Sequence, residues 1–283
     1  MSMSNWLRMS NWLLLAFVML INVAQGAPKE ARGVRLNNPF QKIAQGNKIV
    51  QGEQTDVKVY ALYTPSHRVF LRDWFLPSIT QHDDFTLIIR YAGQDCDSGE
   101  FMMEGWNATM LKKVKLVIEG IRENPDEVFI HSDVDIQFFA PFKDLILSLM
   151  KDKDMLFQKD HDETGSKSIC AGFFACRGTP STLKLWARIY SDLKAISDSQ
   201  SKENDQTLLR KYLGSNEFKI SWGLLPDSFF GGGTFTNTRW KPGVVVPIPD
   251  RPIMHHANWT IGIPNKIGQL QHVKESVDRL TKE

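Results

Sequence analysis

The side chains in this sequence with the most chemistry to offer are two carboxylates one residue apart, Asp133 and Asp135, which follow the apolar run Val128-Phe129-Ile130. A strand that delivers two like charges to one place creates a conflict, because without a cation one of the pair is pushed to keep its proton. A hard divalent ion resolves it by taking carboxylate oxygens, and Mn2+ or Mg2+ suits an oxygen-rich site that also receives phosphate. A bare Asp-x-Asp is common on solvated turns. Here core-like residues flank it on both sides, with Phe138-Phe139-Ala140-Pro141-Phe142 downstream. A second cluster, Met254-His255-His256-Ala257-Asn258-Trp259-Thr260, offers imidazole. Imidazole completes a mixed nitrogen and oxygen site for Mn2+ more readily than for Mg2+. Taken alone, adjacent histidines are better read as satisfied surface groups. Beyond them, Gly262 allows close backbone approach and Lys266, at a helix start, can neutralise a diphosphate.

The elements that must position these groups can be read from periodicity. Val57 to Tyr63 reads as a first buried strand, ended by Thr64-Pro65-Ser66, and Phe85 to Arg90 as a second. Val69 to Phe75 has helical spacing, which Pro77 is expected to stop. Met110, Val114, Val117, Ile118 and Ile121 follow three- and four-residue steps within a helix from Trp106 to Ile121. Val128 to Ile130, Met155 to Phe157, Ala171 to Cys176 and Val244 to Val246 are expected strands. Phe142 to Met150 and a segment from Ser181 to about Ile196 are expected helices. Two more run from Asn204 to Leu213 and from Asn265 to Leu280. Gly231-Gly232-Gly233 reads as a flexible loop. Strands alternating with helices predict an α/β sheet with parallel connections, whose ligands sit at the carboxyl ends of strands. Three polar clusters fall there: Tyr63-Thr64, Asp133-Val134-Asp135 and the loop after Val246.

The bulk numbers describe a globular, enzyme-like chain. It has 283 residues, 42% hydrophobic and 23% charged, with a net charge of +2 and no basic stripe, which argues against nucleic acid as a partner. Within residues 1–26, Arg8 is the only charge, Trp12 to Val23 is almost wholly apolar, and Ala24-Gln25-Gly26 supplies small residues two apart. That layout predicts a secretory signal, with an uncleaved N-terminal anchor and membrane attachment as the alternative. Residues 27–54 read as a linker or arm, and 55–283 as a single catalytic domain. Cys96, Cys170 and Cys176 are an odd set, best read as buried free thiols. Asn107-Ala108-Thr109 and Asn258-Trp259-Thr260 are formal N-glycosylation sites, the second expected to stay unmodified because it lies inside the proposed site.

Four segments together resemble the nucleotide-diphospho-sugar transferases with the GT-A fold. They are Lys113-Val114-Lys115-Leu116-Val117 leading to Val128-Phe129-Ile130-His131-Ser132-Asp133-Val134-Asp135; Cys170-Ala171-Gly172-Phe173-Phe174-Ala175-Cys176-Arg177; Asn204-Asp205-Gln206; and His256-Ala257-Asn258-Trp259-Thr260-Ile261-Gly262 with Lys266. The likeness extends over roughly residues 57–270. It implies a Rossmann-type, mixed but mainly parallel sheet flanked by helices. It implies a metal-dependent glycosyltransferase that uses a nucleotide-sugar donor, UDP-sugar by preference, and retains anomeric configuration.

The resemblance also implies roles. Asp133, Asp135 and His256 would hold the metal, and Lys266 would contact the diphosphate. Lys113 would face the nucleotide, Tyr63 and Thr64 would border the base, and Gly172 and Phe173 would lie near the sugar or acceptor. Asp205 and Gln206 would line the sugar-transfer site. Cys170 departs from the family pattern, which often has Asn or Ser there. The acceptor, whether glycan, protein or lipid, is not specified; acceptor choice is expected in the loops 160–168 and 228–239. Two other readings stand beside this one. The first is a nucleotide-sugar or carbohydrate-binding module without catalysis, for which Phe229-Phe230 would serve as stacking surface. The second is a metal-dependent phosphohydrolase, disfavoured because Ile136 and Gln137 follow the aspartates in place of an Asp-x-Asp-x-Thr nucleophile motif. A secretory signal predicts the Golgi or endoplasmic reticulum lumen in a eukaryote, and export or membrane anchoring otherwise.

Overall fold

The structure, a computed structural model, describes residues 34–36, 57–97, 99–196 and 203–281. The expected signal segment 1–26, and all of the expected arm except 34–36, lie outside these residues. Strands β1 (Val34–Leu36), β2 (Lys58–Tyr63), β3 (Thr86–Tyr91), β4 (Val128–Ser132), β6 (Met155–Lys159), β7 (Ile169–Arg177) and β8 (Trp222–Leu224) form one sheet in the order β1-β3-β2-β4-β7-β6-β8. The pairings make β2, β3, β4, β6 and β8 run one way and β1 and β7 the other. The mixed, mainly parallel sheet of a GT-A-like fold is therefore present. A smaller sheet, in the order β5-β10-β9, joins β5 (Ile136–Phe138), β10 (Met254–His256) and β9 (Phe229–Gly231).

The connections explain where a site can form. Helical segment α1 spans 65–79, and α2 (Trp106–Glu123) carries the chain from β3 across β2 to β4. The strand order therefore reverses at β2, and the crevice outside the carboxyl ends of β2 and β4 is where such sheets bind ligands. Those ends are Tyr63-Thr64 and Asp133. The other helices are α3 (Lys143–Leu149), α4 (Pro180–Ile196), α5 (Asp205–Ser215) and α6 (Ile263–Leu280). Among the described residues, no helix is long and apolar enough to cross a membrane.

Core residues alternate between the two faces of the sheet, as the two-residue period of a strand requires. Val59, Ala61, Ile130 and Phe173 pack into one cluster, and Tyr60, Phe129, Phe174 and Cys176 into the other. The β6–β7 register is interrupted: Phe157 pairs with Phe174 but Gln158 pairs with Cys170. Ala171, Gly172 and Phe173 thus bulge from β7 without partners on β6. A bulge re-aims side chains and is typical beside active sites.

Four local expectations are corrected. The helix passes through Pro77 to Ile79, entering it from a π-helical stretch, Leu71–Phe75. That widened stretch ends two residues before Pro77, which has no N–H to donate. Val244 to Val246 is not a strand, and Val245 is 69% exposed. Pro242, Pro247 and Pro249 surround it and cannot donate to a ladder. Gly231 to Gly233 is buried, and a Cβ at these positions would lie 2.1–2.4 Å from Asn258, Gln269 and Trp259, so close packing is the reason for the glycines. Phe229 and Phe230 are fully buried and offer no stacking surface.

Candidate active site

Each group at the crevice is placed by a local feature of its element. β4 ends at Ser132, and Asp133 N–H donates to the carbonyl of Gly172 at 2.6 Å, which ties the aspartate loop to the bulge of β7. Ala257 N–H donates to the carbonyl of Asp135 at 2.9 Å, which brings β10 and His256 alongside. Asn204 caps α5: its side chain accepts from Thr207 N–H at 3.0 Å while the Thr207 hydroxyl accepts from Asn204 N–H at 2.8 Å. This box holds Asp205 and Gln206 in the first turn, where the helix dipole favours a carboxylate. Gly262 precedes α6 with φ +86°, a conformation L side chains rarely adopt, and Lys266 lies one turn into that helix.

Asp133, Asp135 and His256 converge. One ligand atom from each lies within 4.8 Å of the other two, and among the described residues no other His, Cys, Asp or Glu group of three does so. His256 Nε2 is 3.4 Å from Asp135 Oδ1, and its Nδ1 is 2.9 Å from Gln158 Oε1. Gly172 makes room for this approach. A Cβ there would sit 2.3 Å from His256 Cε1 and 2.8 Å from Asp133 Oδ2. Two carboxylates and one imidazole, crowded around a glycine and opening on a cavity, form a donor set that fits Mn2+ or Mg2+.

The charges are balanced by two lysines. Lys113, buried on α2, lies 3.3 Å from Asp133 Oδ1 and 3.1 Å from Asp205 Oδ2. Lys266 Nζ contacts Asp135 Oδ2. Burial opposes ionisation of Asp133, but the Lys113 charge and the His131 ring outweigh it and hold its pKa at about 2. Burial likewise opposes ionisation of Asp135, and Lys266 and His256 hold it well below the usual carboxylate range. Burial would keep His256 neutral, yet Asp135 raises its pKa to about 10. Lys113 stays charged for the same kind of reason: Asp133 and Asp205 overcome its burial.

A cavity of about 370 Å³ opens onto this cluster. Tyr63, Thr64 and Lys113 line it, as do Asp133, Asp135 and His256. So do Gly172, Asp205, Gln206, Gly262 and Lys266. Phe173 does not. It points to the opposite face of β7 from Gly172 and packs in the core against Phe138, Phe142 and Phe229, so the expectation that it borders sugar or acceptor is corrected. Gln206 is tethered at both ends of its amide: Oε1 accepts from Ala171 N–H at 2.8 Å and Nε2 donates to Asp160 at 3.5 Å.

Several residues at the site carried no signal of their own in the sequence. Asp160 is buried, accepts from Arg210 at 2.7 Å and Asn258 at 3.2 Å, and lines the cavity. It follows β6, which runs parallel to β4, so the carboxyl-end rule applied to that strand would have found it. The Asn258 amide nitrogen, the atom a glycan would occupy, is engaged by Asp160. Gln158 and His131 are fully buried, the first against His256 and the second against Asp133. Cys96, Cys170 and Cys176 are buried thiols that form no disulfide, as expected.

A family model for nucleotide-diphospho-sugar transferases matches residues 79–270, well over half of the chain. The chain belongs to that family. It is thus a glycosyltransferase, with a nucleotide-diphospho-sugar as donor. This transferase is similar in structure to a glycosyltransferase involved in the glycosylation of the major capsid of PBCV-1, with 12% identity, a TM-score of 0.49, and 77% of this chain and 98% of that one covered. It is also similar to GlyE of Streptococcus pneumoniae TIGR4 (13% identity, TM-score 0.45, 75% and 59% covered). A third similar structure is mouse xyloside xylosyltransferase 1 (9% identity, TM-score 0.40, 72% and 98% covered). No curated protein matches the sequence.

Proposed function

We propose that this transferase moves a sugar from a UDP-sugar or similar donor to an acceptor, with Mn2+ or Mg2+ held by Asp133, Asp135 and His256, and with retention of anomeric configuration. The convergence of these three side chains at the carboxyl end of β4 carries the metal part of the reading. When bound, the ion would supply Lewis-acid stabilisation of the charge that develops on the departing nucleoside diphosphate. Lys266 stands beside Asp135 at the start of α6, where a cation and the free N–H groups of the helix end suit a diphosphate. Tyr63 and Thr64, at the end of β2, border the base. Lys113 pairs with Asp133 and Asp205 and faces the nucleotide side of the cavity. Asp205 and Gln206 line the position of sugar transfer, with Gln206 aimed by Ala171 and Asp160.

The test is turnover. Purified protein incubated with a panel of UDP-sugars and Mn2+ should release UDP, and Asp133→Ala and Asp135→Ala should abolish that release. Release that survives both substitutions would remove the metal from the mechanism. Tight donor binding without turnover in the wild type would favour the binding-module reading. NMR of the product's anomeric proton distinguishes retention from inversion. The apolar run 12–23 supports passage into the secretory pathway, or anchoring to a membrane. N-terminal sequencing of the expressed protein tells cleavage from anchoring.

A further inference from the structure

Gln158 is the last-but-one residue of β6 and has no exposed surface. It stands at the point where the β6–β7 register breaks. Its side-chain oxygen lies 2.9 Å from His256 Nδ1, while its own amide nitrogen has no partner among the described residues. A buried amide satisfied on one side only costs stability, and an apolar side chain of similar size would pack there without that penalty. The single contact it makes is therefore the one to explain. Cys170 Sγ, at 3.7 Å, is the other group near that nitrogen and is a weaker acceptor.

An imidazole presents one nitrogen to a metal, and the hydrogen bond at the other nitrogen decides which. An acceptor at Nδ1 keeps the proton there and leaves the Nε2 lone pair for coordination. The His256 nitrogen that faces Asp135 is Nε2. We propose that Gln158 is a positioning residue for the metal site: its buried carbonyl oxygen holds the His256 ring and its Nδ1 proton so that Nε2 is the nitrogen turned toward Asp135 and the cation. This rests on the reading of Asp133, Asp135 and His256 as metal ligands.

The experiment is Mn2+ binding to the full chain, read by electron paramagnetic resonance of the free ion, for the wild type, Gln158→Met, Gln158→Glu and His256→Ala. Gln158→Met keeps the shape and removes the acceptor, and Mn2+ affinity should fall roughly 10–100-fold. Gln158→Glu keeps an acceptor and should bind at wild-type affinity or tighter. If His256→Ala weakens Mn2+ binding but Gln158→Met does not, the positioning role is overturned while the metal site stands. Equal weakening in Gln158→Met and Gln158→Glu would reduce Gln158 to a packing residue and overturn it as well. If His256→Ala binds Mn2+ like the wild type, the metal reading fails and takes this inference with it. Should Gln158→Met fail to fold, histidine 15N NMR of the wild type loaded with Zn2+ reads the ring directly. A proton on Nδ1 supports the proposal, and one on Nε2 overturns it.

Discussion

His255 and His256 are neighbours on β10, yet they face different chemistry. His255 points into packed protein, where its Nδ1 is 3.2 Å from the Gln137 amide and its ring lies against Phe230. Burial, aided by the charge on His256, lowers its pKa to about 3. His256 points to the carboxylates, and its pKa is raised to about 10. The same division separates Gly172 from Phe173 on β7: the glycine makes room for His256 and the phenylalanine fills the core. One strand face is closed, neutral and apolar. The other gathers charge around a cavity. A residue type or motif does not tell which face it serves; parity on the strand does.

The sharpest way to break this comparison is on the charged face. Asp133→Asn should lower kcat/KM by about 10³-fold or more, equivalent to about 4 kcal/mol. It should leave the melting temperature nearly unchanged, because Lys113 keeps Asp205 as a partner. Steady-state UDP release and differential scanning calorimetry check the two halves. The opposite pattern is expected on the closed face. Phe173→Ala should cost about 3–5 kcal/mol of stability, measured by urea unfolding, with donor KM unchanged in the folded protein.

Acid titration separates the two histidines. His255 has a folded pKa of about 3 against 6.5 for the free side chain, so its contribution is fully present above pH 6.5 and is lost as pH falls from 6.5 through 3. The loss should be on the order of a few kcal/mol by pH 3, and His255→Gln should flatten that limb of the stability profile. The smallest effect is expected at the glycine. Gly172→Ala forces His256 and Asp133 to shift, and Mn2+ affinity should fall about tenfold, in line with the roughly 1–3 kcal/mol of overpacking. A Gly172→Ala variant that binds Mn2+ normally would show that the site is looser than its packing indicates.

Much of this arrangement was legible in the sequence because its signals are local. Apolar runs marked β2, β3, β4, β6 and β7. Asn204 marked the start of α5, and Asp133 and Asp135 announced themselves at a strand end. What stayed hidden depends on register and packing. Phe173 and Phe174 are both fully buried, in the cores on opposite faces of the sheet, and nothing in Ala-Gly-Phe-Phe shows that Gly172 is the residue that opens on the cavity. Gln158 and Asp160 are ordinary polar residues until β6 is seen to run parallel to β4. Val244-Val245-Val246 looked like a strand because β-branched residues outvoted the prolines around them. Phe229 and Phe230 looked available for stacking because the small sheet that buries them is built from three distant segments.

The most direct test is a crystal structure with Mn2+ and UDP, with anomalous diffraction used to locate manganese. One anomalous peak bonded to Asp133, Asp135 and His256, with the diphosphate bridging it toward Lys266, is the predicted result. UDP bound in the cavity with no manganese at those three side chains, or manganese held elsewhere, would contradict the account.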